Sequence, residues 1–171
     1  MRHIFTILLF LITLNFSQAQ EKPRWNFYTI EAPSLKNNII GENTNRTIGV
    51  YLPPNYFQTT KNYPVVYYLM GYNSKGLDPF RRIKKIYDKQ FDAKINSGQF
   101  GELIIVLLEG SNRYRGSFYM NSPVNGNWED YVTRDVISHI DSNYRTIANR
   151  NSRALIGSSM GGYGALNLSM L

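Results

Sequence analysis

The spacing of apolar and polar positions changes along the chain, and each change marks an element. Two early stretches, Trp25–Ile30 and Arg46–Leu52, alternate in the two-residue period of half-buried strands. They predict an antiparallel pair joined by a polar, Asn- and Thr-rich loop. Pro53 and Pro54 end the second, because neither can donate to a strand ladder. Tyr63–Met70 is a continuous apolar run rich in β-branched and aromatic residues, the pattern of a parallel strand buried on both faces. Asp78-Pro79 then opens a helix, with Asp78 as N-cap and Pro79 in the first turn. Phe80, Ile83, Tyr87, Phe91 and Ile95 share one face of that helix, and Gly98 ends it.

The alternation continues. Leu103–Leu108 reads as a second buried strand, followed by a long loop from Glu109 to Gly126 full of Asn, Ser, Gly, Arg and aromatic residues. Loops of that length within a compact domain are more often functional than idle. The next helix has Asn127 as its N-cap and Asp130 three residues on, an approximate capping box. Its buried face carries Trp128, Tyr131, Val132, Val136 and Ile140. Arg153–Gly157 is the last strand, and a helix covers Met160 to Leu171. Early strands followed by strand–helix alternation predict an α/β fold, a mostly parallel sheet with helices on both faces.

Composition adds limits. A chain of 171 residues fits one domain, and 43% hydrophobic with 14% aromatic residues excludes a disordered one. The first residues stand apart. Arg2 and His3 precede the apolar run Ile4–Leu14, and Ser17-Gln18-Ala19 supplies small residues of the kind signal peptidase reads. The run is too short for a bilayer span of about 20 residues. Residues 1–19 therefore read as a secretory signal cleaved after Ala19, with residues 20–171 as the domain in the periplasm or outside the cell and no stable membrane anchor. There are no cysteines and only two histidines, His3 and His139, which leaves no disulfide and no histidine-rich metal site. The net charge of +7 gathers partly at Arg81, Arg82, Lys84, Lys85 and Lys89. No nucleic-acid motif accompanies it, so this reads as a solvated helix face and not a nucleic-acid partner site.

The chemistry lies at Gly157-Ser158-Ser159-Met160-Gly161, a G-x-S-x-G motif between the last strand and the last helix. The sharp turn needs glycine at 157 and 161, where a side chain would strike neighbouring backbone. It lifts the Ser159 hydroxyl above the sheet edge, with the dipole of the following helix directed at a developing oxyanion. The alternative is a glycine-rich turn that only packs tightly. The second piece is Met70-Gly71-Tyr72, after the first buried strand. An oxyanion hole takes one N–H from the residue after the nucleophile and one from this loop, which selects Met160 and Tyr72.

With these motifs goes a resemblance. YLPPNY at 51–56, YPVVYYLMG at 63–71, FYMNSPVNGNWEDYV at 118–132 and NRNSRALIGSSMGGYGAL at 149–166 are similar to segments of an esterase family. That family includes S-formylglutathione hydrolases, secreted feruloyl and acetyl-xylan esterases, siderophore-ester hydrolases and the antigen 85 mycolyltransferases. The resemblance implies an α/β-hydrolase fold, Ser159 as nucleophile and the N–H groups of Met160 and Tyr72 as oxyanion donors. Many members have His-Gly where this chain has Met70-Gly71, which leaves a backbone donor intact but alters its surroundings.

A serine needs a histidine base and a carboxylate to orient it, in the order Ser, Asp or Glu, His along this fold. Nothing after Ser159 supplies either, and His139 precedes it on a helix where a structural role fits better. The sequence thus reads as the N-terminal part of a longer esterase, truncated after the nucleophile helix, with an apolar sheet edge left open and no activity of its own. Three functions remain: hydrolysis of small-molecule or carbohydrate esters through an acyl-Ser159 intermediate, acyl transfer of the mycolyltransferase type, or carbohydrate binding without catalysis. None requires a metal or organic cofactor. In the first, Tyr119, Asn121 and Trp128 of the long loop line the acyl or sugar pocket.

Overall fold

A computed structural model describes residues 22–171, so the proposed signal segment 1–19 lies outside the described residues. Five strands form the main sheet: β1 (Trp25–Glu31), β2 (Asn45–Tyr51), β3 (Val65–Leu69), β4 (Ile104–Leu108) and the strand Arg153–Gly157. A two-residue ladder, β5 (Asn121–Ser122) with β6 (Gly126–Asn127), sits in the long loop, so the last strand is β7. The order across the sheet is β1-β2-β4-β3-β7. β2 pairs antiparallel with β1 and β4, whereas β3 pairs parallel with β4 and β7. The sheet is therefore mixed, parallel only where strand–helix–strand crossovers build it.

Two cores follow from the two-residue period. Ile104, Val106 and Leu108 of β4 face one side with Val65, Tyr67 and Leu69 of β3, while Ile105 and Leu107 face the other. The second side is covered by α1 (Leu77–Asn96), which buries Phe80 and Ile95. The first is covered by α2 (Trp128–Asp130), which runs through a π-helical turn at Tyr131–Val136 into α3 (Ile137–Asn143), and by α4 (Met160–Ser169). Trp128, Tyr131, Val132, Val136 and Ile140 are all fully buried, as their spacing predicts. Burial of each such aliphatic side chain contributes about 1.5–3 kcal/mol. β7 lies at the sheet edge, with Ile156 45% exposed.

The helix starts differ from the sequence reading. α1 begins at Leu77 after Gly76, whose φ of 75° only glycine adopts readily; Asp78 lies inside the first turn and is not the cap. Gly98, at φ 75°, does end this helix, its N–H donating to the Ile95 carbonyl. Asn127 occupies the position before α2, but its side chain makes no capping bond. Asn121, opposite it in the β5–β6 ladder, does the capping: its Oδ1 accepts from the N–H groups of Glu129 (3.0 Å) and Asp130 (3.2 Å). The cap comes from six residues upstream because the hairpin folds it back over the helix end.

The close packing of α4 fixes the turn that precedes it. A Cβ on Gly161 would lie 1.9 Å from the Leu69 carbonyl oxygen, and one on Gly157 would lie 2.4 Å from the carbonyl of Gly161. Both obstacles are backbone, so neither can rotate away. Gly161→Ala is expected to destabilise the domain by about 3 kcal/mol or more, read from the urea midpoint. Asn121→Ala is expected to cost about 1 kcal/mol and Asn127→Ala next to nothing; equal losses would return the cap to Asn127.

Candidate functional site

Ser159 stands between β7 and α4 with φ 55° and ψ −125°, a region that L-residues avoid and that costs about 1–3 kcal/mol to hold. The packing of Gly157 and Gly161 enforces it. The result is an exposed seryl side chain at the N-terminus of a ten-residue helix. Gly161 N–H donates to the Ser158 carbonyl and Tyr163 N–H to that of Ser159, which closes the first turn. Met160, the first residue of α4, has no carbonyl within the helix for its own N–H.

The segment after β3 runs beside this turn. A Cβ on Gly71 would come within 3.8 Å of Ser159 Cβ and 3.5 Å of the Ser158 carbonyl oxygen. The next residue is Tyr72, and its N–H, like that of Met160, donates to no other group among the described residues. Two N–H groups without a partner among the described residues thus belong to residues adjoining the point where Gly71 meets Ser159. Gly116, from the long loop, fits between the two residues: a Cβ there would lie 2.6 Å from both Met160 Sδ and the Tyr72 ring.

The three loop residues expected in a substrate pocket lie elsewhere. Tyr119 and Trp128 are fully buried, so neither side chain lines an open pocket. Trp128 donates from Nε1 to the Asn125 carbonyl and stacks its ring against Arg46 at 4.7 Å. Tyr119 donates to the carbonyls of Met70 (2.9 Å) and Leu108 (3.2 Å), and burial raises its phenol well above the usual value, so it stays protonated. Asn121 is exposed, but its amide is committed to the α2 cap. The aromatic and thioether side chains that the loop does present are Tyr114, Phe118 and Met120. Phe118 packs edge-on against Tyr163 of α4 at 6.0 Å, and Tyr72 donates to the Tyr114 carbonyl. Tyr72, Tyr114, Phe118, Met120 and Tyr163 together form an exposed aromatic and thioether surface.

A buried ion cluster, not evident from the sequence motifs, lies behind the long loop. Arg46 bonds Glu42 at 2.9 Å and Glu109 at 3.2 Å, with all three side chains at most 4% exposed. Its Nη2 also donates to the Ser111 carbonyl at 2.6 Å. A signal was present, because Arg46 shares the inward face of β2 with Ile48 and Val50.

His139 is remote from Ser159. Its Nε2 meets the Tyr28 hydroxyl of β1 at 3.2 Å, and burial lowers its pKa below the usual histidine value. β1 and β7 are opposite edges of the sheet, four strand spacings or about 19 Å apart. No histidine or carboxylate among the described residues hydrogen-bonds the Ser159 hydroxyl. Nor does a carboxylate–histidine cluster of metal-binding type occur among them. Two cavities on the faces of the sheet are also elsewhere. One of about 420 Å³ lies between α1 and the sheet, lined by Tyr68, Phe91 and Ile156 among others; one of about 840 Å³ lies between the α2 and π-turn segment and α4. Neither includes Ser159, which sits on an open surface.

Comparison with known proteins agrees with this architecture. The family model described as Putative esterase matches residues 40–170. An esterase of Mycobacterium tuberculosis (strain CDC 1551 / Oshkosh) is 32% identical over 127 residues, 71% of this chain and 25% of that protein. Among solved structures, a ferulic acid esterase superposes with a TM-score of 0.66 at 29% identity, over 84% of this chain and 53% of that one. The S-formylglutathione hydrolase of Agrobacterium tumefaciens shares the fold, with a TM-score of 0.61 at 19% identity over 85% of this chain and 52% of its own. The chain spans a quarter of the length of the curated relative and about half of each of these structures. A match across residues 40–170, on an α/β-hydrolase fold with a G-x-S-x-G turn between β7 and α4, means that the chain belongs to the Putative esterase family.

Proposed function

We propose that Ser159 is the nucleophile of a serine-type carboxylic ester hydrolase. The observation that carries this reading is the conjunction at one turn: an exposed serine held at φ 55°, with the free N–H groups of Met160 and Tyr72 beside it. In acylation the Ser159 Oγ bonds to the ester carbonyl carbon while its proton passes to a base. The carbonyl oxygen gains the charge and accepts from both N–H groups, where the α4 dipole adds to them. Collapse expels the alcohol, which takes the proton, and water then cleaves the acyl-serine by the same route.

The base must be an imidazole oriented by a carboxylate, and the described residues bring neither to Ser159. We place both outside residues 22–171, so that these residues alone give no turnover. The exposed surface of Tyr72, Tyr114, Phe118 and Tyr163 supports an acyl group with a flat apolar ring, and one solved relative is named a ferulic acid esterase. Residues 1–19 are read as the export signal, which would bring the enzyme to small-molecule or carbohydrate esters outside the cytoplasm. Whether water or a sugar accepts the acyl group is read from the products.

In the full-length protein, Ser159→Ala should lose ester turnover by about 10⁴-fold or more and lose fluorophosphonate labelling, with its fold unchanged by circular dichroism. Labelling that survives the substitution would move the nucleophile elsewhere. Phe118→Ala should raise KM for a methyl hydroxycinnamate about tenfold while leaving that for p-nitrophenyl acetate within about twofold. Equal effects on both esters would take the ring surface out of substrate binding.

A further inference from the structure

The segment Met70–Gly76 carries the Tyr72 N–H, and side chains from the long loop hold it at both ends. At its start, the buried Tyr119 hydroxyl donates to the Met70 carbonyl at 2.9 Å and to the Leu108 carbonyl at 3.2 Å. At its end, Glu109 Oε2 accepts from the Gly76 N–H at 2.7 Å. The other oxygen of Glu109 accepts from Thr47 N–H (3.2 Å) and meets Arg46 (3.2 Å). Glu109 is thus fixed to β2 on one side while it holds the segment on the other. Between the ends, Asn73 N–H donates to the Arg115 carbonyl at 2.7 Å.

Tyr119 cannot shift easily. Its ring fills the space above two glycines, where a Cβ on Gly110 would lie 2.4 Å and one on Gly164 2.5 Å from its atoms. Its backbone and that of Phe118 are both left-handed, at φ 56°, an arrangement that persists only where surroundings over-determine it. Gly164 belongs to α4, so one ring touches the nucleophile helix while its hydroxyl holds the donor segment. That geometry ties the two halves of the oxyanion site together.

We propose that Tyr119 and Glu109 are positioning residues, which clamp the two ends of Met70–Gly76 and so fix the Tyr72 N–H relative to Ser159. The proposal rests on the reading of Met160 and Tyr72 as the oxyanion donors. It gives Tyr119 a role through the backbone, with no contact to substrate.

The test uses the full-length protein with p-nitrophenyl acetate as substrate and phenylboronic acid as a tetrahedral adduct former. Tyr119→Phe keeps the ring and removes the hydroxyl; Glu109→Gln keeps the shape and removes the charge. Each should lower kcat about tenfold with KM within about twofold, and weaken phenylboronic acid by a similar factor. Ile140→Val, a core change on α3, should lower the melting temperature while leaving kcat unchanged. An unchanged kcat in Tyr119→Phe, or a fall that Ile140→Val matches, overturns the proposal. If Glu109→Gln fails to fold, Tyr119→Phe decides alone. Full turnover in Ser159→Ala is a different result, which removes the nucleophile reading and this inference with it.

Discussion

The structure depends on one close approach, that of the α4 backbone to the end of β3. With the Leu69 carbonyl oxygen 1.9 Å from where a Gly161 Cβ would stand, the helix can start there only if residues 157 and 161 carry no side chain. That contact leaves no room for a relaxed connection. The chain must reverse within Ser158 and Ser159, and Ser159 takes a φ that its side chain resists. Exposure of the hydroxyl, the helix N-terminus behind it and the nearness of Gly71 all follow. Strain at the serine is held by packing at its neighbours.

A second layer keeps the adjoining segment in place. The loop from Glu109 to Met120 is irregular, yet it is fastened by Arg46 between two carboxylates and by the Tyr119 hydroxyl on two carbonyls. Breaking a buried ion cluster by removing one member leaves an uncompensated charge, at a cost of about 3–5 kcal/mol. Such a loop is irregular in dihedral angles and rigid in position, and positional rigidity is what preorganised donors require. Its exposed Phe118 and Met120 rest on Tyr163 of α4, and its Tyr114 is held by Tyr72.

Much of this was legible in the sequence. The strands follow from alternation or continuous apolar runs, and β7 coincides with the predicted Arg153–Gly157. The buried face of α2–α3 follows from side-chain spacing, and the elbow from its glycines. What escaped depends on tertiary contact. Tyr119 reads as a pocket residue from its place in a polar loop, and only the positions of Gly110 and Gly164 show that it faces inward; for Trp128 the helical spacing, which predicts burial, is the reading that holds. Asn121 caps a helix it does not adjoin, because a hairpin returns it there. Glu42 and Glu109 meet at Arg46 only in the folded sheet, because they lie far apart along the chain.

On the proposed reading, the acyl group of the substrate passes through Ser159. Acid-quenching the full-length protein during turnover of a slow aryl ester, then measuring intact and peptide masses, traps that intermediate. One added acyl mass is expected, confined to the peptide that holds Ser159 and absent when the ester is omitted. An acyl group found on any other residue, or turnover with no covalent adduct at the earliest quench times, would contradict it.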